Sequence, residues 1–377
     1  MVESVTLVAS IALALSVGIN AVIVRSSNRT PRLSRRDDMN AVQAAHSHPT
    51  PRLGGLGVFI GFGAALLLLS YLTTELIPIH LLISALPIFS AGLLEDLGRR
   101  QSPRRRLFAA ALSGGVAIAV LHTWIKNSGL SGIDLLLAIP PIGVAITIIW
   151  SAGVCNAVNL VDGVNGLAGT LALSISAALA YIAWSAGDVL MAQIAVALAA
   201  GITGFLVFNW PRGKLFLGDA GAYTVGHLLV WTSILILTRT PDSSYAALSL
   251  LFFWPVADTF LAMWRRSHLR HKMMHPDYLH VHQFIMRALQ IRWKMPLVRS
   301  NPITTLVLAP LFLTPILLGV AFLERPYYAF AAWVVLGVVF TASYLIGIRH
   351  VRRQTWRTIR QRQGPRTQSK HPLRSRR

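Results

Sequence analysis

The chain has 377 residues, 54% of them hydrophobic and 13% charged, with a mean hydropathy of +0.56; soluble domains carry about 25% charged residues, so the composition excludes an ordinary soluble protein and points to the membrane. Lysine and arginine number 35 against 14 aspartate and glutamate, a formal charge of +21, and in a membrane chain such an excess orients helices and meets anionic lipid headgroups rather than nucleic acid. The single cysteine, Cys155, excludes an internal disulfide and any multi-cysteine metal site.

A spanning helix needs roughly 20 mostly apolar residues. Eleven stretches qualify, near 5–24, 53–72, 78–94, 106–122, 133–151, 166–184, 188–207, 220–238, 245–263, 303–322 and 327–347. The first has no positive charge ahead of its apolar core and is followed by Arg25 and Arg29, so it reads as an uncleaved anchor with the N-terminus outside. The connectors and tail on one side hold 32 of the 35 lysines and arginines; the other side holds only Lys126, Arg239 and Arg325. The positive-inside rule places the basic side in the cytoplasm. The expected architecture is all-α: residues 1–347 form one transmembrane domain of about eleven helices, with the N-terminus outside and the C-terminus cytoplasmic. Residues 348–377 form a basic cytoplasmic tail, flexible or lying on the membrane surface.

Acidic residues are costly at membrane depth, so their positions are informative. Glu75, Asp134, Asp188, Asp242 and Glu324 fall in short outer connectors and read as solvated loop charges. Glu95, Asp96, Asp162, Asp219, Asp258 and Asp277 all fall in or beside cytoplasmic ends. The first cytoplasmic loop closes on His46-Ser47-His48-Pro49-Thr50-Pro51-Arg52-Leu53-Gly54-Gly55. Its prolines extend the backbone, its glycines allow close approach at a helix start, and Arg52 suits phosphate; a plain helix entry with a snorkelling arginine reads equally well. Glu95 and Asp96 stand side by side at the end of an apolar stretch, where a divalent cation, a shared proton or Arg99 and Arg100 must offset their repulsion. Residues 151–165 read as a cytoplasmic loop without lysine or arginine, in which Asn156, Asn159, Asp162 and Asn165 suit base and ribose hydrogen bonding or Mg2+ ligation. Asp219 lies between Gly218 and Gly221 at the entry to the eighth stretch, as a functional acid or a helix cap. The connector 264–302 follows Asp258 and carries Arg265, Arg266, His268, His271, His275, Asp277, His280 and His282. His271 and His275 have a spacing that zinc accepts, but no HExxH pattern is present, and phosphate binding by histidine and arginine suits the loop better.

In order, HSHPTPRLGG, GLLEDL, NAVNLVDGVNGLAG, LFLGDAGAYTVG, and PVADTFLAMWRR followed by PDYLHVH resemble the motifs of the polyprenyl-phosphate N-acetylhexosamine-1-phosphate transferases, glycosyltransferase family 4. The resemblance covers roughly residues 46 to 283. It implies a bacterial inner-membrane enzyme with its active site facing the cytoplasm. The implied partners are a UDP-amino sugar and polyprenyl (undecaprenyl) phosphate, the products polyprenyl-diphospho-sugar and UMP, and the cofactor Mg2+ or Mn2+. It assigns Asp219 to the metal with Asp96 as supporting ligand or polar anchor, and Glu95 to the lipid phosphate. Asn156, Asn159 and Asp162 would hold nucleotide and metal-site geometry, with Asn165 near the uracil. His280, His282 and Arg266 would bind phosphates, and Arg52 the lipid phosphate. Two positions depart from the family pattern: Glu95 replaces an aspartate, and Gln283 follows His280-Val281-His282 where a further histidine is usual. A transporter of an anionic substrate and a catalytically weakened lipid-binding homologue are the rival readings. A homodimer is compatible with the sequence.

Overall fold

The computed structural model describes residues 2–29, 50–99, 101–240, 242–268 and 280–362. Among these every regular element is a helix: α1 (Val2–Arg29), α2 (Gly54–Thr73), α3 (Ile77–Asp96), α4 (Pro103–Leu121), α5 (Ser131–Leu137), α6 (Pro140–Val161), α7 (Leu167–Ser185), α8 (Val189–Asn209), α9 (Gly218–Arg239), α10 (Tyr245–Leu250), α11 (Phe253–His268), α12 (Val281–Arg292), α13 (Leu297–Ala321) and α14 (Pro326–Arg362). The chain falls into two compact units, Met1–Val334 and Val335–Arg377. In the second, the described chain is helical through Arg362, past Ile348 where the tail was expected to begin. The first unit contains the polar motif segments.

Nine described helices are long and apolar enough to cross a membrane: α1, α2, α3, α6, α7, α8, α9, α13 and α14. The protein is thus all-α and multi-pass. The two further stretches expected at 106–122 and 245–263 fall on α4 and on the pair α10 and α11. The first turn of α4 carries Arg104, Arg105 and Arg106, which lowers its apolar content. The second stretch is interrupted at Leu251 and Phe252, whose amides turn back to Leu248 and Ser249 carbonyls. The stretch expected at 133–151 is corrected. Pro140 and Pro141 open α6 in the first turn, where a missing N–H costs nothing, and the helix runs on to Val161. Asn156 and Asn159 therefore stand on its last turns, not in a loop.

The centre of the unit is α9, in which every residue from Gly218 to Leu237 is buried. It packs against α2, α3, α4, α6, α7, α8 and α10. Protein rather than lipid surrounds it, which is why it can carry Asp219, Tyr223, Thr224, His227, Thr232 and Ser233. Beside Pro87, which interrupts the bonding of α3, Ile88 N donates to Ser113 Oγ of α4 at 3.0 Å. Ile88, Ala109, Ala110, Ala152, Cys155 and Tyr223 then close a small core joining α3, α4, α6 and α9. That core holds the ends of these four helices together, and the polar motifs sit on those ends.

Candidate active site

The site is organised around the N-terminus of α9. The first amides of a helix lack internal acceptors, and here the acceptor comes from another helix. Asp96, the last residue of α3, takes Asp219 N on Oδ1 at 3.0 Å and Ala220 N on Oδ2 at 2.8 Å. A carboxylate there also meets the positive end of the helix dipole. The approach depends on Gly92, where a Cβ would overlap the backbone of Asp219 and Ala220. It depends equally on Gly218, whose φ of +75° is left-handed and whose Cβ would meet Arg52 O and the Asp96 carboxylate. The entry to α2 is tied to the same turn: Phe216 N donates to Pro51 O (2.9 Å), Gly54 N to Phe216 O (2.9 Å) and Gly55 N to Leu217 O (2.8 Å).

With its helix capped from outside, Asp219 turns its side chain into a polar cluster. It is 5% exposed. Arg106 Nη1, from the first turn of α4, donates to Oδ2. Asn159 Nδ2 donates to Oδ1 at 3.3 Å, and Arg52 Nη2 lies 3.7 Å from the same oxygen. One turn along α9, Tyr223 donates its hydroxyl to Asn156 Oδ1 at 3.4 Å, and its ring centroid lies 6.0 Å from the Arg106 guanidinium. Glu95 accepts from Gln101 N, and its charge acts on Arg106 and Tyr223.

Asp162 follows α6. Burial pushes its carboxyl up to about 7, with Arg52 opposing the rise and Asp219 adding to it, so all three share one field. Against the next residue, Gly163, lies His282: a Cβ there would overlap its imidazole. The His280 and His282 rings stack with centroids 5.6 Å apart. Asp258 of α11 fixes the first of them, with Oδ2 2.7 Å from His280 Nδ1 and Oδ1 accepting Val281 N at 3.2 Å. Burial pushes His282 down to about 4, so at neutral pH it offers a hydrogen bond rather than a positive charge; its Nδ1 is buried without a partner among the described residues.

The structure thus brings Arg52, Glu95, Asp96, Asn156, Asn159, Asp162, Asp219, His280 and His282 to one end of the bundle. Asn165 is engaged otherwise: its N–H donates to Asn301 Oδ1, its Nδ2 to Pro211 O, and its carbonyl accepts from Thr305. Those bonds latch the start of α7 to α13. On α11, Arg265 stands seven residues from Asp258 and is buried, whereas Arg266 is partly exposed. The zinc-spaced His271 and His275, with His46, His48 and Asp277, lie outside the described residues.

Arg106 and Tyr223 were not singled out from the sequence. A signal existed for Arg106: Ala109, Ala110, Ser113 and Ala117, at three, four, seven and eleven residues on, form the buried face of α4, while Arg104 and Arg105 are exposed.

Among the described residues no three His, Cys, Asp or Glu side chains converge on one metal position. Mg2+ does not require that; one or two carboxylates suffice when waters and phosphate oxygens complete the shell. Asp219, with Asp162 and the Asn159 amide nearby, is an all-oxygen donor set of that kind. Asp96 fits less well, because both its oxygens are engaged by α9 amides.

Residues 78–237 match the family model described as glycosyl transferase family 4. The chain is 30% identical over 253 residues to a probable undecaprenyl-phosphate N-acetylglucosaminyl 1-phosphate transferase of Bacillus subtilis, covering 66% of this chain and 69% of the relative. It is 30% identical over 279 residues to the decaprenyl-phosphate N-acetylglucosaminephosphotransferase of Mycolicibacterium smegmatis (65% and 66% covered). An undecaprenyl-phosphate alpha-N-acetylglucosaminyl 1-phosphate transferase of Yersinia pestis is 29% identical over 256 residues (64% and 67%).

Proposed function

The chain belongs to glycosyl transferase family 4, and we propose that it transfers a sugar-1-phosphate from a UDP-N-acetylhexosamine to polyprenyl phosphate. The products are polyprenyl-diphospho-sugar and UMP, the opening step of a cell-envelope polymer. The observation that carries this reading is the nearly buried Asp219, ringed by Arg106, Arg52 and Asn159 at a helix N-terminus. Such a cluster suits bound phosphate and a divalent cation together.

In the reaction a non-bridging oxygen of the lipid phosphate attacks the sugar-bearing phosphorus. The bond from that phosphorus to the UMP oxygen breaks, and UMP leaves with the electron pair. Both reactants are anions, and unit charges about 4 Å apart repel by about 4 kcal/mol at an effective dielectric near 20. Arg52 and Arg106 oppose that repulsion from one side. His280, oriented by Asp258, and the neutral His282 offer donors from the other. Mg2+ or Mn2+ held by Asp219 with Asp162 would supply further neutralisation of the diphosphate. Asn156 and Asn159 keep Tyr223 and Asp219 in register, and Glu95, beside Arg106, orients or deprotonates the lipid phosphate. The 32-to-3 division of basic residues supports a cytoplasmic position in the inner membrane. There, UDP-sugars meet lipid phosphate at headgroup depth.

Membranes containing the protein, given UDP-N-acetylglucosamine labelled in the sugar and undecaprenyl phosphate, are expected to release UMP and gain label in the lipid fraction. Absence of UMP release with every UDP-N-acetylhexosamine tried overturns the reading. Chelation should stop transfer and Mg2+ or Mn2+ restore it; chelator-insensitive transfer removes the metal and leaves the reaction standing.

A further inference from the structure

Two arginine–aspartate pairs in the first unit differ in geometry. At the far end of α9, Arg239 engages both oxygens of Asp188 through Nε and Nη2, the fork arrangement that makes such pairs strong. Among the described residues, Arg106 meets Asp219 end-on, through Nη1 alone, while its Nε is buried with no partner. A guanidinium has five N–H donors, and the buried Nε of Arg106 is one that its contact with Asp219 leaves unused. The remaining Asp219 oxygen is held at 3.3 and 3.7 Å by Asn159 and Arg52. A buried carboxylate needs a counter-charge, and the Arg106 guanidinium and a divalent cation are alternative sources of it beside Asp219.

We propose that Arg106 is an exchangeable counter-ion. It neutralises Asp219 while no divalent cation is bound, yields the carboxylate when one arrives, and then presents its unfilled donors to the substrate diphosphate. Arg106 is thereby both a competitor of the cation and a diphosphate-binding residue. The inference rests on the metal reading above.

The test is Mn2+ binding to the purified full-length protein in detergent, read by electron paramagnetic resonance without substrate. Arg106→Gln is expected to bind Mn2+ about tenfold more tightly than wild type, to melt lower when metal-free, and to lose transfer about a hundredfold. Arg105→Gln removes the same charge from an exposed neighbouring position and is expected to change Mn2+ affinity by less than about twofold. Equal or weaker binding by Arg106→Gln overturns the proposal, as does equal tightening by Arg105→Gln. Mn2+ binding to neither wild type nor Arg106→Gln overturns the metal reading, and the proposal with it. If Arg106→Gln fails to fold, Arg106→Lys decides. It keeps the charge and loses the planar fork, so its Mn2+ affinity should stay within about twofold of wild type while KM for the UDP-sugar rises. A Lys variant with tightened Mn2+ binding overturns the proposal.

Discussion

Helices α8 and α9 both begin beside an aspartate paired with an arginine, and the two acids are used in opposite ways. Asp188 caps its own helix, accepting Met191 N on Oδ1 at 3.2 Å, and Arg239 takes both its oxygens. Its bonding capacity goes to fastening α8 to the last turn of α9. Asp219 lies inside the first turn of α9, and the amides of Asp219 and Ala220 are taken by Asp96 from α3. Its carboxylate therefore faces Arg106, Arg52 and Asn159 instead. A helix start carries the candidate site here because its capping is done by a residue more than a hundred positions away, which leaves the Asp219 side chain to the polar cluster.

The largest effect is expected at Asp219 itself. Asp219→Asn keeps the side-chain shape and leaves the Asp96 cap in place, but removes the charge that pairs with Arg106 and would hold a cation. Transfer should fall about a thousandfold, with the protein still inserted and its Tm within a few degrees of wild type. Near-normal UMP release would make Asp219 as structural as Asp188 and break the comparison.

Asp96→Ala sharpens it next. Both α9 amides lose their acceptor in a buried setting, a cost of about 2 kcal/mol or more, and Asp219 loses its fixed orientation. Tm and transfer should fall together, and Asp96→Asn, which keeps one acceptor oxygen, should recover part of both. Loss of transfer with unchanged Tm would mean that Asp96 acts as a metal ligand and not as a cap.

Hydropathy and charge make the all-α membrane architecture readable in the sequence because lipid imposes composition directly on every span. Five motif segments also mark most residues of the candidate site, since ionisable groups at membrane depth are costly and stand out in an apolar chain. What escaped was tertiary. The polar Asn156 and Asn159 lower the hydropathy of a helix that runs on to Val161, because neighbouring helices rather than lipid enclose its end. Arg106 was hidden among charges that orient the bundle, although its spacing to Ala109, Ala110 and Ser113 marks it as facing inward. The pairing of Asp258 with His280 crosses 22 residues with no local pattern. Asn165 has the composition of a ligand-binding amide, yet its bonds to Asn301 and Pro211 arise from chain segments distant in sequence. Asp188 resembles a solvated loop acid, but its side chain is only 8% exposed, because Arg239 returns to it from the end of α9.

The smallest effect is expected at that far pair. Asp188→Ala removes a cap of about 1 kcal/mol and an ion pair whose arginine is 38% exposed, so solvent screening leaves that pair a small share. Tm should fall by a few degrees. Transfer at saturating substrate should stay within about twofold of wild type, since α9 is still capped at its other end by Asp96 and still enclosed along its length. Melting and UMP release measured on the same preparation check both halves. If Asp188→Ala instead loses transfer as Asp96→Ala does, then the placement of Asp219 depends on how α9 is anchored at both ends, and capping from α3 is not sufficient to set the site.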